Sequence, residues 1–380
     1  MSPSPRPNRP LALLGGLTPE QFMRRHWQKR PLLIRGALAA PPPFLPRGRL
    51  FALARSAGVE SRLVARTERG AWTLAHGPFA RGSLPPPRPR WTLLVQGVDL
   101  HDDGTRALLD AFRFVPDARL DDVMVSWASD GGGVGPHVDS YDVFLLQAHG
   151  RRRWRIARRF DSALRRDAPL KVLRRFAPEQ EHLLGAGDML YLPPGWAHDG
   201  VAEGGECMTY SIGFRAPHSA ELGVDLIERL LDRAAAGDGS LYSDPHQRAT
   251  RTPARIPPPL LEFALASARR VAASERELGR ALGEALTGRK SNVRFDARPR
   301  RWRIAAVALD RRSAMLYDDG YLFINGESHR VSSKDRAVLR RLADCRRLDA
   351  RAVARASSTV RARLREWLRA GWLRIEPDER

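Results

Sequence analysis

Between residues 119 and 214 the chain can hardly be anything but β-structure. DDVMVSWA at 121–128, YDVFLLQAHG at 141–150, RRRWRIA at 151–157, DMLYLPP at 188–194 and MTYSIGF at 208–214 are short, rich in β-branched and aromatic residues, and separated by Gly- and Pro-rich turns. Runs of this length and composition are strands, and many short strands with frequent turn signals close into a sandwich or barrel. A double-sheet jelly roll fits best. Period-2 alternation puts Asp122, Met124 and Ser126 on one face of the 121–128 strand. The 141–150 and 151–157 segments are expected to pair as a hairpin around His149-Gly150.

On the N-terminal side, Thr18 is placed to cap a helix over 18–30, and PLLIRG at 31–36 follows as a strand. Further strands are expected at RLVAR (with Leu63 and Val64), AWTLAH and WTLLVQGV, with the Pro-rich stretches 40–46 and 84–90 as loops. After Pro217 the pattern turns helical. Ser219 is placed to cap a helix with an apolar stripe of Leu222, Leu226, Ile227, Leu230 and Leu231. Residues 245–259 form a linker, Leu260–Val271 a second helix, and Ser274-Glu275-Arg276-Glu277 opens a third carrying Leu278, Leu282 and Leu286. RWRIAAVALD and YLFINGESHRV are strands, the latter turning at Asn325-Gly326. Helices over Val338–Leu342 and Val360–Leu368, a stop at Gly371 and a final WLRI strand suggest a winged-helix-like module. The expected division is a disordered segment 1–17, an α+β catalytic part 18–216, helices 217–293 and the winged-helix-like part 294–380, with no internal repeat.

The 380 residues suffice for two or three domains, and 43% hydrophobic content is that of an ordinary globular chain. The apolar stretch from Leu11 to Leu17 is too short to span a bilayer, and Cys207 and Cys345 cannot build a disulfide framework, so a cytoplasmic protein is expected. The formal net charge of +21 favours polyanionic partners, though arginine so far outnumbers lysine that a GC-rich genome explains the bias equally well. Zinc-finger spacing, an RNP-like aromatic motif and GxxxxGK are all missing from the sequence.

Chemistry concentrates in GPHVD at 135–139 and GDMLYLPPGWAH at 187–198. His137 and Asp139 stand two apart on a strand and share a face, and a barrel can bring the strand of His198 beside them. Two imidazoles and a carboxylate on one side of a metal leave positions open for substrate and dioxygen, the ligand set of non-haem Fe(II) oxygenases. Zinc also accepts such ligands, but the hydrolytic HExxH helix is missing and all three candidates lie on strands. The open positions suit a 2-oxo acid. A 2-oxoglutarate cosubstrate needs a cation for its distal carboxylate. Alternation groups Arg152 with Trp154 and Ile156, the apolar set, and leaves Arg151, Arg153 and Arg155 outward, so Arg152 is the expected anchor.

GGGVGPHVDSYDVFLLQAHGRRRWRI and GDMLYLPPGWAHDG, with HWQKRPLLIRG, SRLVAR, HGPF, SIGFRAP and LYSDP, resemble the bacterial ribosomal oxygenases of the JmjC class, YcfD-type arginine hydroxylases. In detail the resemblance spans about residues 20–245. It implies an N-terminal JmjC, cupin-like double-stranded β-helix, a helical dimerisation domain making a homodimer, and a C-terminal winged-helix domain. It further implies Fe(II) on His137, Asp139 and His198, 2-oxoglutarate on Arg152, and hydroxylation of an arginine β-carbon in large-subunit ribosomal protein L-sixteen. Where relatives can carry a second cosubstrate-binding serine this chain has Ala128, with Ser126 two residues earlier as the candidate hydroxyl.

A guanidinium entering a barrel mouth wants a carboxylate and apolar or aromatic walls for its stem. Asp122, Met124 and Tyr141 meet that need, and the family's substrate pocket is similar there. The competing readings are a JmjC histidyl hydroxylase or lysine demethylase acting on another basic protein, and a non-catalytic protein binding nucleic acid through its basic surface and winged helix.

Overall fold

The computed structural model describes residues 7–38, 45–67, 69–85, 89–235, 242–243, 256–272, 274–288, 292–296 and 304–376. Its first part is a two-sheet jelly roll. The strands are β1 (Leu32–Ile34), β2 (Ser61–Arg66), β3 (Trp72–His76), β4 (Trp91–Val95), β5 (Leu120–Ala128), β6 (His137–Val138), β7 (Asp142–His149), β8 (Arg152–Ala157), β9 (Gln180–Leu184), β10 (Met189–Leu192), β11 (Ala197–Ala202) and β12 (Cys207–Phe214). Eight form one sheet in the order β1-β10-β7-β12-β5-β4-β2-β3, and four form the facing sheet, β6-β11-β8-β9. All these pairings are antiparallel.

Each face of the large sheet has its own apolar core. Val123, Val125, Phe144, Tyr191 and Phe214 point outward against Phe22 of α1 (Pro19–Arg25), Leu50 of α2 (Arg47–Ala54) and Leu109 of α3 (Asp103–Asp110). Val143, Leu145, Leu190 and Leu192 point inward and meet Trp154, Ile156 and Leu184 of the small sheet. The inner core is the smaller of the two.

The structure departs from several expectations. β7 and β8 do not form a hairpin: β7 pairs with β10 and β12, whereas β8 pairs with β11 and β9. The chain changes sheets at Gly150, whose φ is 65° and where a Cβ would lie 2.2 Å from the Glu206 carbonyl oxygen. Only glycine fits that crossing. The segment 1–17 is also not disordered throughout. Residues 1–6 lie outside the described residues, but Ala12–Leu14 is a 3-10 turn with Leu13 and Leu14 buried in the outer core. Two leucines on one side of a tight turn gain enough apolar burial to hold it. Thr18 then caps α1 in a reciprocal capping box with Gln21, and the helix ends at Arg25 rather than continuing to residue 30.

The helical part has α4 (Ser219–Ala235), α5 (Pro258–Ala272) and α6 (Glu275–Thr287), the last capped by Ser274. Ser219 is the first helical residue of α4 rather than its cap. Of the stripe expected on α4, Leu230 is buried while Ile227 and Leu231 stay exposed. The expected linker falls mostly outside the described residues.

The last part holds β13 (Val307–Leu309), β14 (Met315–Tyr317), β15 (Tyr321–Ile324), β16 (Glu327–Arg330), α7 (Ser333–Cys345), β17 (Arg347–Leu348), α8 (Ala350–Arg355), α9 (Ser358–Arg369) and β18 (Leu373–Ile375). β15 and β16 turn at Asn325-Gly326, both with positive φ, as expected. Of RWRIAAVALD only Val307–Leu309 is strand, and residues 301–303 lie outside the described ones. This part docks on the jelly roll through main-chain acceptors: Arg311 Nε donates to the Leu100 carbonyl at 2.8 Å, and Arg113 Nη1 to that of Asp344 at 2.7 Å.

Candidate active site

The small sheet carries the metal-binding candidates. β6 and β11 pair with His137 directly opposite His198, and their ring centroids lie 4.2 Å apart. Asp139 follows β6 and places Oδ2 3.7 Å from His137 Nε2 and 3.6 Å from His198 Nε2. Among the described residues this is the one group of three or more His, Cys, Asp or Glu able to hold a metal ion.

Both imidazoles are oriented from behind. His137 Nδ1 donates to the Gly135 carbonyl at 2.9 Å, and His198 Nδ1 to the Trp196 carbonyl at 3.0 Å. A carbonyl can only accept, so each Nδ1 carries a proton, and Nε2 is the ring atom turned toward Asp139 and left to ligate. Burial, then the neighbouring His137, hold the His198 pKa down to about 4, outweighing the opposite pull of Asp139. The ring is neutral at pH 7, as a metal ligand must be. The Gly195 N–H donates to the Asp139 carbonyl at 2.9 Å and ties the carboxylate-bearing loop to the Pro-Pro-Gly turn. Sequence reasoning had no means of naming Gly135 and Trp196, because they act through backbone atoms.

Arg152 lies on the same inner surface, 5% exposed. Its Nη1 donates to Ser126 Oγ at 3.3 Å, while Nε and Nη2 are buried without a partner. A buried guanidinium with two idle donors is costly unless an anion completes it. Thr92 stands across the ladder from Ala128, and so on its face, with a buried hydroxyl that also has no partner. A second hydroxyl is thus available one strand over from the alanine. Trp154 spans the space between anchor and metal ligands, with its ring 5.7 Å from the Arg152 guanidinium and 5.9 Å from the His198 ring. Gly200 makes room for it, since a Cβ there would approach the indole to 2.6 Å. The residues present fit a divalent metal with a dicarboxylate.

Of the three expected substrate-binding residues, Asp122 is buried on β5. Its Oδ2 accepts from Gly97 N–H at 2.9 Å and from Gln96 Nε2 at 2.9 Å, and its Oδ1 from Gln96 Nε2 at 3.1 Å. Met124 is half-buried two places along, opposite Ser211, and Tyr141 is 40% exposed. Gln96, which fixes the Asp122 carboxylate, carries no motif that would have marked it.

A two-sheet roll bearing two histidines and one carboxylate on neighbouring strand ends is the layout of a cupin-type non-haem metal oxygenase. The comparisons place the chain within that class. Residues 107–222 match the JmjC domain family, and residues 270–374 the ROXA-like winged helix. The ribosomal protein uL16 3-hydroxylase of Escherichia coli (strain K12) is 40% identical over 245 residues, a stretch spanning 62% of this chain and 62% of that relative. The structure of YcfD, a ribosomal oxygenase from Escherichia coli, with cobalt and succinic acid superposes with a TM-score of 0.79 at 30% identity, over 95% of this chain and 99% of that one. A second YcfD structure, with cobalt and 2-oxoglutarate, gives the same TM-score and coverage at 29% identity. The chain belongs to this family of JmjC ribosomal oxygenases.

Proposed function

We propose that the protein is an Fe(II)- and 2-oxoglutarate-dependent oxygenase that hydroxylates the β-carbon of an arginine in large-subunit ribosomal protein uL16. The observation that carries this is the pairing, on one inner wall, of the His137, Asp139 and His198 cluster with a buried Arg152 that has two unpartnered donors. A ferrous ion held by the cluster, with 2-oxoglutarate and dioxygen, supplies the oxidant that turns a C–H into C–OH, while 2-oxoglutarate leaves as succinate and carbon dioxide.

The chain's own residues bind and orient. Arg152 of the small sheet and Ser126 of the large sheet take the distal carboxylate of the cosubstrate, and Thr92 stands on the same face of the large sheet as Ser126. Gly135 and Trp196 hold the imidazoles in their ligating tautomer. Asp122, steadied by Gln96, receives the substrate guanidinium, and Met124 and Tyr141 flank its stem. Such positioning of the target carbon is the protein's share of catalysis.

Peptide mass spectrometry tests the assignment. uL16 incubated with enzyme, Fe(II) and 2-oxoglutarate should gain one oxygen on an arginine. Hydroxylation of histidine instead, or demethylation of lysine, would move the substrate class elsewhere. Homodimerisation is part of the proposal, supported by Val224, Ile227 and Leu231 of α4 and Leu260, Leu261 and Leu265 of α5, all exposed on a single chain. Ile227→Glu with Leu261→Glu should convert the particle to a monomer by light scattering. A cytoplasmic location is part of the same proposal, supported by the ribosomal substrate it assigns. Among the described residues no helix is long and apolar enough to cross a membrane.

A further inference from the structure

The face of the small sheet turned away from the metal is not a plain solvent surface. The chain between β8 and β9 folds back over it, held by the Leu173 N–H donating to the Pro136 carbonyl at 2.7 Å. Beneath this flap lies a cavity of about 420 Å³ bounded by Arg66, Trp72, Gly135, Arg155, Arg165 and Arg174. Its carboxylates are few. Asp199, buried behind the sheet, is taken by Arg155; Asp167 pairs with Arg165 at 2.6 Å; and Asp161 reaches Arg174 only at 3.5 Å. Arg66 has no carboxylate within 4.0 Å among the described residues and instead lies 5.5 Å from the Trp72 ring. The flap adds more charge. Between Arg155 and Arg175 stand eight cationic side chains and two acidic ones. Arg158 and Arg159 lie near Glu179, and Arg175 near Asp161, but none of these nor Arg166 or Lys171 has a carboxylate oxygen within 4.0 Å among the described residues.

We propose that this cavity and its rim bind the phosphodiester backbone of single-stranded RNA. Guanidinium forks match phosphate oxygens bidentately, and exposed ion pairs such as Arg165–Asp167 are weak enough to yield to a phosphate. Trp72 and Phe176 in the wall supply the aromatic component that accompanies cationic grooves for single strands. Repulsion from Asp161, Asp167 and Asp199 acts on a phosphate chain and an acidic peptide alike; what favours RNA is the pair of rings in the wall, Trp72 and Phe176, on which bases can stack. The cavity backs onto the Gly131–Pro136 loop that delivers His137, so RNA held there lies beside the catalytic strand pair. The inference stands apart from the choice of hydroxylation target, since binding is measured without metal, cosubstrate or substrate.

The test is fluorescence anisotropy of the full chain with a labelled 20-nucleotide single-stranded RNA across a salt series. The first variant is Arg66→Glu with Arg165→Glu and Arg174→Glu. A charge-matched control carries Arg351→Glu, Arg355→Glu and Arg369→Glu on the winged-helix part. Affinity for RNA should fall by about 30-fold or more in the cavity variant, and the slope of log affinity against log salt should drop by about two to three, with the control within about threefold of the parent. A milder set, the same three arginines to Gln, should fall between and serves if the reversals unfold the chain. Loss of binding in the control with the cavity variant unchanged would overturn the proposal. So would AMP or inorganic phosphate competing as well as RNA, which marks a small-ligand site, or polyglutamate competing better, which marks an acidic protein partner.

Discussion

β7 and β8 are consecutive in the chain, yet they belong to opposite sheets and obey different physics. β7 is buried at seven successive positions, because helices cover one face and the inner core the other. β8 alternates: Arg152, Trp154 and Ile156 are buried, and Arg153 and Arg155 are partly open. A strand covered on both faces stabilises the fold and has no free side for chemistry. A strand covered on one face can aim selected polar groups inward while its alternate residues keep it soluble. Both the metal cluster and the cosubstrate anchor belong to the small sheet, whose outer face carries charged side chains under the β8–β9 segment rather than a second apolar core.

The contrast predicts different damage from the two sheets. His137→Ala and Asp139→Ala should each reduce iron-dependent 2-oxoglutarate turnover below detection while leaving the melting temperature near that of the parent. Retained turnover in either would remove that residue from the ligand set. On the large sheet Phe144, fully buried among Phe22, Phe112 and Tyr191, should behave oppositely. Phe144→Ala should cost about 3–5 kcal/mol of stability in denaturant unfolding, with the refolded fraction still active. A loss under about 1 kcal/mol would mean the outer core is loosely packed.

Arg152→Met comes next. Removing one partner of a buried charge pair costs about 2–5 kcal/mol, so the 2-oxoglutarate requirement should rise about 30-fold or more. The value of kcat at saturation should change little. An unaltered requirement would transfer the anchor to another cation. Gly200→Ala should destabilise by about 1–3 kcal/mol, because the new methyl overlaps the Trp154 ring. Its effect on turnover should be larger than that of Phe144→Ala at equal stability, since Trp154 also packs near His198.

The same contrast explains which features were legible in the sequence. Alternation can be read only where one face is wet, and so period-2 parity alone separates Arg152 from Arg151 and Arg153. The uniform apolar run of β7 carries no such information, and the adjacent Gly150 looks like a hairpin turn when it is a crossing between sheets. The His-x-Asp spacing and the Pro-Pro-Gly-Trp-Ala-His run mark the metal cluster because ligands need specific side chains. The Gly135 and Trp196 carbonyls, and the Gln96 amide behind Asp122, stay hidden because nearly any residue can offer a carbonyl and glutamine is common on strands. The folded N-terminal leucines escape notice because a Pro- and Arg-rich start outweighs two buried side chains.

The smallest expected effect is the sharpest check on strand parity. Arg153 is next to Arg152 but faces outward, where its guanidinium pairs with Glu203 and Glu181. These pairs hold its pKa above the usual arginine value, with the Glu203 hydrogen bonds contributing most. At an exposed site that shift carries little stability, since solvent and salt screen both partners. Arg153→Ala should therefore leave the melting temperature and the 2-oxoglutarate requirement within experimental scatter of the parent, and any small difference should vanish in high salt. If Arg153→Ala raised the cosubstrate requirement while Arg152→Met did not, β8 would face the other way. The distinction between a chemical strand and a structural one would then have to be drawn on different residues.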